Sequence, residues 1–190
     1  METRIIVGSS NKKILKQLSQ FLIENGYNVV GETTDGYDIL RRVHTVYPDL
    51  CIIDFDMKGI KGNEISEVII SDKVCPIITI ANSSKLQYFT NLSQEPNFIL
   101  LIKPINKNIL INTIELMIKT SRSISKLQKE VNTLKKNQDD KQIISKAKKL
   151  LMTHMGLTEE EAHRKIQKHS MNKGLSKIIV ANSIINKYSN

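Results

Sequence analysis

Ten lysine and arginine side chains lie in the last fifty residues of the chain, together with only three acidic ones. This segment therefore carries a net charge of +7, out of +9 for all 190 residues. Clustered ammonium and guanidinium groups are suited to binding the phosphates of a polyanion. Eight of them are the candidate contacts: Lys146, Lys148, Lys149, Arg164, Lys165, Lys168, Lys173 and Lys177.

The basic charge is confined to one end of the chain. Residues 1–120 contain 13 basic and 13 acidic side chains, whereas residues 121–190 contain 15 and 6. A neutral body with a basic tail favours a polyanion partner for the tail over a merely solvated basic surface.

Composition limits the class of protein. We find no apolar run near the ~20 residues that a membrane span needs, and no signal-peptide pattern at the N-terminus. Cys51 and Cys75 form no CxxC pair, which suggests reduced thiols in the cytosol. The four histidines share no ligand spacing with cysteines or paired carboxylates, so we expect no metal site among them. We therefore expect a cytoplasmic protein with no membrane partner and no required cofactor.

Short apolar runs alternate with amphipathic segments through the first hundred residues. This alternation predicts an α/β fold with a doubly wound, five-stranded parallel sheet of the flavodoxin-like kind. In such sheets the functional cleft lies at the carboxyl ends of the strands. The predicted strands are Arg4–Val7, Asn28–Glu32, Leu50–Phe55, Ile77–Ala81 and Phe98–Ile102, and the predicted helices are near 11–25, 36–46, 62–72 and 84–93.

Two charged residues stand at predicted strand ends. Asp54 ends the third strand and Lys103, followed by Pro104, ends the fifth. With the predicted topology, this arrangement resembles the receiver domain of response regulators over residues 1 to about 120. The resemblance implies that Asp54 is a phosphoacceptor and that Lys103 pairs with the product phosphate.

Several positions depart from the receiver pattern. Gly8 and Ser9 stand where the family has an acidic pair that binds Mg²⁺, and Lys58 replaces the usual proline after the acceptor loop. Ala81 and Leu100 replace the switch hydroxyl and the switch aromatic. Because phosphoryl transfer without a metal loses several kcal/mol of charge stabilisation, we expect a degenerate pseudo-receiver. Asp54 and Lys103 are then a retained buried ion pair.

Two alternatives remain for this domain. Asp56 could supply a second carboxylate beside Asp54, so that weak Mg²⁺ binding supports phosphorylation by a sensor kinase. Thr79 is a poor substitute for the switch hydroxyl that Ala81 lacks. It lies two residues away from Ala81 along the strand, which shifts its position by ~6.6 Å. The pair Asp54 and Asp56 also resembles the acids of haloacid-dehalogenase-type phosphatases, but it lies on the third strand and lacks the further acids of that family.

From about residue 106 the pattern is helical, with a seven-residue repeat. Apolar positions in this repeat predict a coiled-coil seam and a parallel homodimer, although Gln138 occupies one core position. A single amphipathic helix packed on the first domain is the alternative. The seam residues are Met117, Ile124, Leu127, Val131 and Leu134.

Capping signals divide the tail into short helices. Gly156 predicts a helix end, Thr158 with Glu161 forms a capping box, and Ser176 predicts the next helix start. The tail is thus expected to be a small three-helix unit attached to the long helix. Its expected core is Ala147, Leu151, Met155, Ala162, Ile166 and Ala181.

A group of small, apolar and capping positions in the tail forms one motif. Its positions are Ala147-Lys148, Leu151-Met152, Gly156, Thr158 to Ala162, Met171 and Ala181. Over about residues 140–188 this motif resembles the ANTAR domain of transcription antitermination regulators. The departures are Lys149, His163, Ile166 and Ser170, of which His163 replaces a usual aromatic. The resemblance implies binding to RNA hairpins in leader transcripts.

Together these patterns predict a receiver-like domain over 1–120, a long helix over 106–140 and an ANTAR-like RNA-binding domain over 140–190. The expected protein is a dimeric antiterminator controlled by a partner protein or by dimerisation. A phosphorylation-dependent regulator is the first alternative, and a DNA-binding transcription factor is the second.

Overall fold

The computed structural model describes residues 2–188 and divides into two compact units, the first ending at Ile124 and the second beginning at Ser125. One long helix, α4 (Lys107–Met155), contributes residues to both units. No helix within residues 2–188 combines the length and the apolar character needed to cross a membrane.

The first unit is built on the predicted five-stranded parallel sheet. Its strand order is β2-β1-β3-β4-β5, the flavodoxin-like order. Every residue of β3 and β4 is buried, as expected for central strands that are covered on both faces. The strands are β1 Arg4–Gly8, β2 Asn28–Thr33, β3 Leu50–Asp54, β4 Ile77–Ala81 and β5 Phe98–Ile102.

Helices cover both faces of this sheet and enclose two apolar clusters. One cluster includes Ile53 and Ile77 with side chains of α2 and α3, and the other includes Ile52 and Ile78 with side chains of α1 and α4. Cys51 and Cys75 are free thiols buried in the first cluster, and burial raises the pKa of Cys75 to about 12. The helices are α1 Lys12–Glu24, α2 Gly36–Val46 and α3 Gly62–Ser71.

The segment predicted as an amphipathic helix near 84–93 is instead a 3₁₀ helix, Ser83–Leu92. Two side chains bond to carbonyl groups three residues earlier: the Thr90 hydroxyl donates to Gln87 at 3.0 Å and the Ser93 hydroxyl donates to Thr90 at 2.8 Å. Such local bonds compete with the regular α-helical ladder and favour the tighter turn.

Helix α4 spans Lys107–Met155. Its first turns place Leu110, Ile114, Met117 and Ile118 in the core of the first unit, on the stripe that spacings of three and four residues produce. The assignment of Met117 to the dimer seam is therefore wrong, because this side chain is only 2% exposed. The sheet supplies the apolar surface that buries it.

The second unit is a three-helix domain in which the end of α4 is itself one of the helices. The others are α5, Glu159–Lys173, and α6, Lys177–Tyr188. Gly156 has the left-handed conformation expected of a helix end. The predicted capping box is present, since Glu161 N–H donates to the Thr158 hydroxyl and Thr158 N–H donates to the Glu161 carboxylate.

Six small or aliphatic side chains form the buried core of this unit. Met155, predicted to belong to it, is 44% exposed, and Val180 occupies the core instead. Met155 is the last residue of α4 before the turn at Gly156, and its thioether lies at the surface, 3.3 Å from Lys165 Nζ. The core residues are Ala147, Leu151, Ala162, Ile166, Val180 and Ala181.

Candidate functional site

A buried ion pair stands at the carboxyl ends of the central strands. Lys103, after β5, donates from Nζ to both carboxylate oxygens of Asp54, at 2.7 and 2.9 Å. The Asp54 side chain is 9% exposed and that of Lys103 is 32% exposed. The ion pair expected from the sequence is therefore present, and the Lys103 ammonium neutralises the Asp54 carboxylate.

The end of β1, where receivers carry their metal-binding acids, presents no carboxylate. A side chain at Gly8 would place its Cβ 2.9 Å from Ile39 Cδ1 and 3.0 Å from Met57 Cε, so this space is already filled. Ser9 is buried, and its hydroxyl accepts a hydrogen bond from Asn11 N–H. The neutral Ser9 hydroxyl is a poor substitute here for a carboxylate ligand of Mg²⁺, which binds oxygen ligands in octahedral geometry and usually takes one or two carboxylates.

Asp56 lies at the edge of the same site. Its carboxylate is about half exposed and 4.0 Å from Lys61 Nζ. Across residues 2–188 we find no group of three or more histidine, cysteine or carboxylate side chains arranged to hold a metal ion. Asp54 and Asp56 are thus the carboxylates that a cation at this edge would have to use.

The positions that transmit phosphorylation in receivers are occupied by apolar or sequestered groups. Ala81 is buried at the end of β4, and Leu100 packs against the core from β5. Thr79 is fully buried, and its hydroxyl is 2.7 Å from that of Ser66. Because this hydroxyl is already paired inside the core, Thr79 does not replace the missing switch residue.

A cleft of about 290 Å³ opens beside the ion pair. One face of α1 provides Ile14, Leu18 and Phe21, and the Lys107 ammonium lies 5.1 Å from the centre of the Phe21 ring. The sequence predicts a cleft at the carboxyl ends of the strands, but it does not predict which side chains of α1 line this cleft. The helical recurrence in α1 indicates an apolar face, but only the folded chain shows that part of this face lines a cleft.

The eight basic candidates of the second unit fall into two groups. Three have partners: Lys148 with Glu159 at 2.5 Å, Arg164 with Glu160 at 2.7 Å, and Lys165 with Met155 Sδ at 3.3 Å. The bond from Lys148 also lowers the pKa of the Glu159 carboxyl. Lys148 is largely buried at this contact between α4 and α5, so we expect it to support the fold.

The other five basic side chains are exposed. Within residues 2–188 none of them takes part in an ion pair, so their charge is available to a ligand. They are Lys146, Lys149, Lys168, Lys173 and Lys177.

Three apolar side chains of the predicted seam face solvent on α4. Leu127 is 60% exposed, Leu134 is 67% exposed, and Val131 between them is also exposed. Ile124, one turn earlier, is half-buried. The a/d spacing of these residues matches a coiled-coil surface that lacks a partner helix in the single chain.

Family models match both parts of the chain. The response regulator receiver domain matches residues 5–115, and the ANTAR domain matches residues 132–185. The chain belongs to the ANTAR-type response regulators. Both families are regulatory domains rather than enzymes, so the resemblance to a phosphatase is not supported.

Two proteins with similar sequences are transcriptional regulatory proteins. Transcriptional regulatory protein PdtaR of Mycobacterium tuberculosis is 30% identical over 170 residues, which cover 90% of this chain and 83% of PdtaR. Transcriptional regulatory protein DesR of Bacillus subtilis is 33% identical over 86 residues, 45% of this chain and 43% of DesR.

Solved receiver domains share the fold of the first unit. The signal receiver domain of a LuxO repressor protein from Vibrio parahaemolyticus aligns with a TM-score of 0.58 at 18% identity, over 67% of this chain and 98% of that structure. The receiver domain of the response regulator NarL from Mycobacterium tuberculosis aligns with a TM-score of 0.55 at 20% identity, over 62% of this chain and 97% of that structure.

The ion pair allows a test of how the buried carboxylate is stabilised. We expect Lys103→Met to lower the free energy of unfolding by about 2 kcal/mol, less than for a fully buried pair because Lys103 is partly exposed. Asp54→Asn should lower the free energy of unfolding by less, since the ammonium of Lys103 that remains reaches water. The double variant should recover part of the stability that is lost in the single variants. Urea unfolding followed by tyrosine fluorescence measures this, since Tyr27, Tyr37, Tyr47 and Tyr88 lie in the first unit. Strictly additive losses would show that the two residues do not stabilise one another.

Proposed function

We propose that this response regulator is an antiterminator that binds hairpin RNA through its second unit, with a degenerate receiver domain that works without phosphorylation. The observation that supports RNA binding is the group of five exposed, unpaired lysines on the unit matched by the ANTAR model. Hairpin stems offer phosphates to lysine side chains, and hairpin loops expose base edges.

The state of the Asp54 site supports a receiver without phosphate control. Phosphoryl transfer to a carboxylate requires neutralisation of charge at the transferred group, which receivers achieve with a metal ion. Here Lys103 already neutralises Asp54, and Gly8 and Ser9 provide no carboxylate. A partner protein or dimerisation would then regulate the protein, in place of a phosphoryl group.

Dimerisation through α4 follows from the exposed seam. Leu127, Val131 and Leu134 lie on one stripe of the helix and are exposed in the single chain. A second copy of the same helix would remove this stripe from water. Two RNA-binding units on one dimer would bind two hairpins with a gain in avidity.

Phosphorylation by a sensor kinase is the second candidate function. It is favoured by one observation, the presence of Asp56 beside the acceptor position with about half of its carboxylate exposed. In this case Asp54 and Asp56 would bind Mg²⁺ together.

RNA binding is tested by neutralising two exposed lysines. We expect Lys149→Gln and Lys168→Gln each to weaken binding of hairpin RNA and to reduce the slope of log affinity against log salt by about one unit. Lys16→Gln, which neutralises an exposed lysine of α1 that takes part in no ion pair within residues 2–188, is the matched control and should change neither quantity. Affinity is measured by fluorescence anisotropy at several salt concentrations. Binding to duplex DNA in preference to any structured RNA would support the DNA-binding alternative instead.

The dimer is tested by placing charge in the seam. We expect Leu127→Glu with Val131→Glu to convert the dimer to a monomer, because the carboxylates would repel and lose hydration at the helix contact. The control carries the same two charges outside the seam, as Ser125→Glu with Asn132→Glu. Sedimentation equilibrium gives the masses. If the unaltered chain is already a monomer at micromolar concentration, the seam is not a constitutive interface.

Chemical phosphorylation separates the two regulatory models. After incubation with acetyl phosphate and Mg²⁺, we expect the intact mass of the protein to remain unchanged, because the site lacks the metal-binding acids. A stoichiometric adduct that disappears in Asp54→Asn would overturn the proposal and establish phosphorylation at Asp54.

A further inference from the structure

The cleft beside the buried ion pair lies within the first unit and is lined largely by apolar side chains. Helix α1 contributes Ile14, Leu18 and Phe21, which follow spacings of three and four and therefore share one side of the helix. A neighbouring side of α1 carries Leu15 and Leu22 into the core. Ile14 is 43% exposed. The cleft thus offers apolar surface that the core of the unit does not use.

The charges around the cleft do not cancel. Asp54 and Lys103 neutralise one another. Lys107 also lines the cleft, and within residues 2–188 it forms no ion pair with a carboxylate. Its ammonium lies 5.1 Å from the centre of the Phe21 ring. One uncompensated positive charge is therefore placed against the apolar side of α1, and this charge favours an anionic ligand over a neutral or cationic one.

The backbone of α4 adds to the positive potential at this point. Lys107 is the first residue of α4, and the first turn, Lys107 to Leu110, contains no acidic residue. The N–H groups at the start of a helix carry a partial positive charge, which stabilises an anion and opposes a cation. Asn106 caps one of these groups by accepting a hydrogen bond from Asn108 N–H at 2.8 Å. A carboxylate beside Lys107 would compensate the ammonium and the helix terminus together.

The volume of the cleft limits the ligand to a small molecule. About 290 Å³ is near the lower end of small-molecule sites, which begin at roughly 300 Å³. If each non-hydrogen atom takes the ~30 Å³ that a water molecule fills in the liquid, the cleft holds on the order of ten such atoms. A monocarboxylate with a hydrocarbon body of this size, such as octanoate, matches the volume, the apolar lining and the single excess charge.

We propose that the cleft of the first unit binds a small apolar monocarboxylate. The carboxylate of the ligand accepts hydrogen bonds from the Lys107 ammonium at the start of α4. Its hydrocarbon body packs on Ile14, Leu18 and Phe21. The inference goes beyond the proposed function, which assigns no ligand to the first unit, and it does not depend on RNA binding.

The test titrates the full-length chain with octanoate, octanamide and butanoate by isothermal titration calorimetry. Octanamide keeps the apolar body but carries no charge. It should bind at least about tenfold more weakly than octanoate, because charge-assisted hydrogen bonds are stronger than neutral ones. Butanoate keeps the charge but lacks four methylene groups. It should also bind at least about tenfold more weakly, because it removes less apolar surface from water.

Four variants assign the two parts of the ligand to their contacts. Lys107→Gln should abolish the preference for octanoate over octanamide, whereas Ile14→Gln should weaken both ligands by about the same factor. The matched controls are Lys16→Gln, on another side of α1, and Leu86→Gln, in the 3₁₀ helix, and both should keep the affinities of the unaltered chain. All four side chains are exposed, so we expect the variants to keep the circular-dichroism spectrum of the unaltered chain.

Isoleucine methyl NMR of the full-length chain locates the bound ligand. On addition of octanoate, we expect the methyl signals of Ile14, Ile80 and Ile105, which line the cleft, to shift. The signal of Ile179, which is 52% exposed in the second unit, should remain unchanged. Shifts at Ile179 as large as those at Ile14 would show non-specific adsorption to exposed apolar side chains and would overturn the proposal.

Two further results would contradict the proposal. One is equal affinity of the unaltered chain for octanoate and octanamide, which would remove the role of Lys107. The other is the absence of binding at millimolar octanoate, which would leave the apolar side of α1 to a protein partner. Neither result bears on RNA binding, because all the cleft residues lie in the first unit.

Discussion

The buried carboxylate of Asp54 is the constraint on which the first unit depends. A carboxylate that loses water must be neutralised, and the charge can come from a metal ion, from a side chain or from a proton. In this chain the charge comes from Lys103, whose ammonium contacts both carboxylate oxygens. Because Lys103 neutralises the carboxylate, the space at the end of the first strand can be filled by apolar side chains. Ile39 and Met57 fill the volume around Gly8. The apolar surroundings of Gly8 and the Asp54–Lys103 ion pair are thus compatible parts of one arrangement.

The second unit is stabilised by different interactions. Its core consists of six small or aliphatic side chains, supported by the capping box at Thr158 and the left-handed glycines at the two helix ends. A domain held together by such a small core leaves most of its side chains on the surface. That surface can carry many like charges, because exposed lysines remain hydrated and are screened by salt. The positive charge that suits a polyanion therefore conflicts little with folding.

Patterns of local origin were predicted well from the sequence. The five strands are correct to within one residue at each end, because central parallel strands are continuous apolar runs between turns. The helix ends at Gly156 and Thr158 were also correct, because capping depends on neighbouring residues only. The errors concern residues whose partners are distant in the chain. Met117 continues the heptad spacing, yet it is buried in the core of the first unit, and Met155 fits a core pattern but is exposed at the end of α4.

The sequence by itself determined the fold class, the two families and the segregation of charge, since composition, periodicity and motif spacing are properties of the linear chain. Only the tertiary structure decided which charged groups are free. Lys148 and Lys149 are adjacent and chemically identical, but packing of α4 on α5 joins the first to Glu159 and leaves the second in solvent. The same holds on helix α5, where Ala162 and Ile166 turn into the core and five residues spread over nine positions form one exposed surface. These five residues are Arg164, Gln167, Lys168, Met171 and Asn172. Side-chain availability depends on what each group packs against, and that is set by contacts between elements far apart in the sequence.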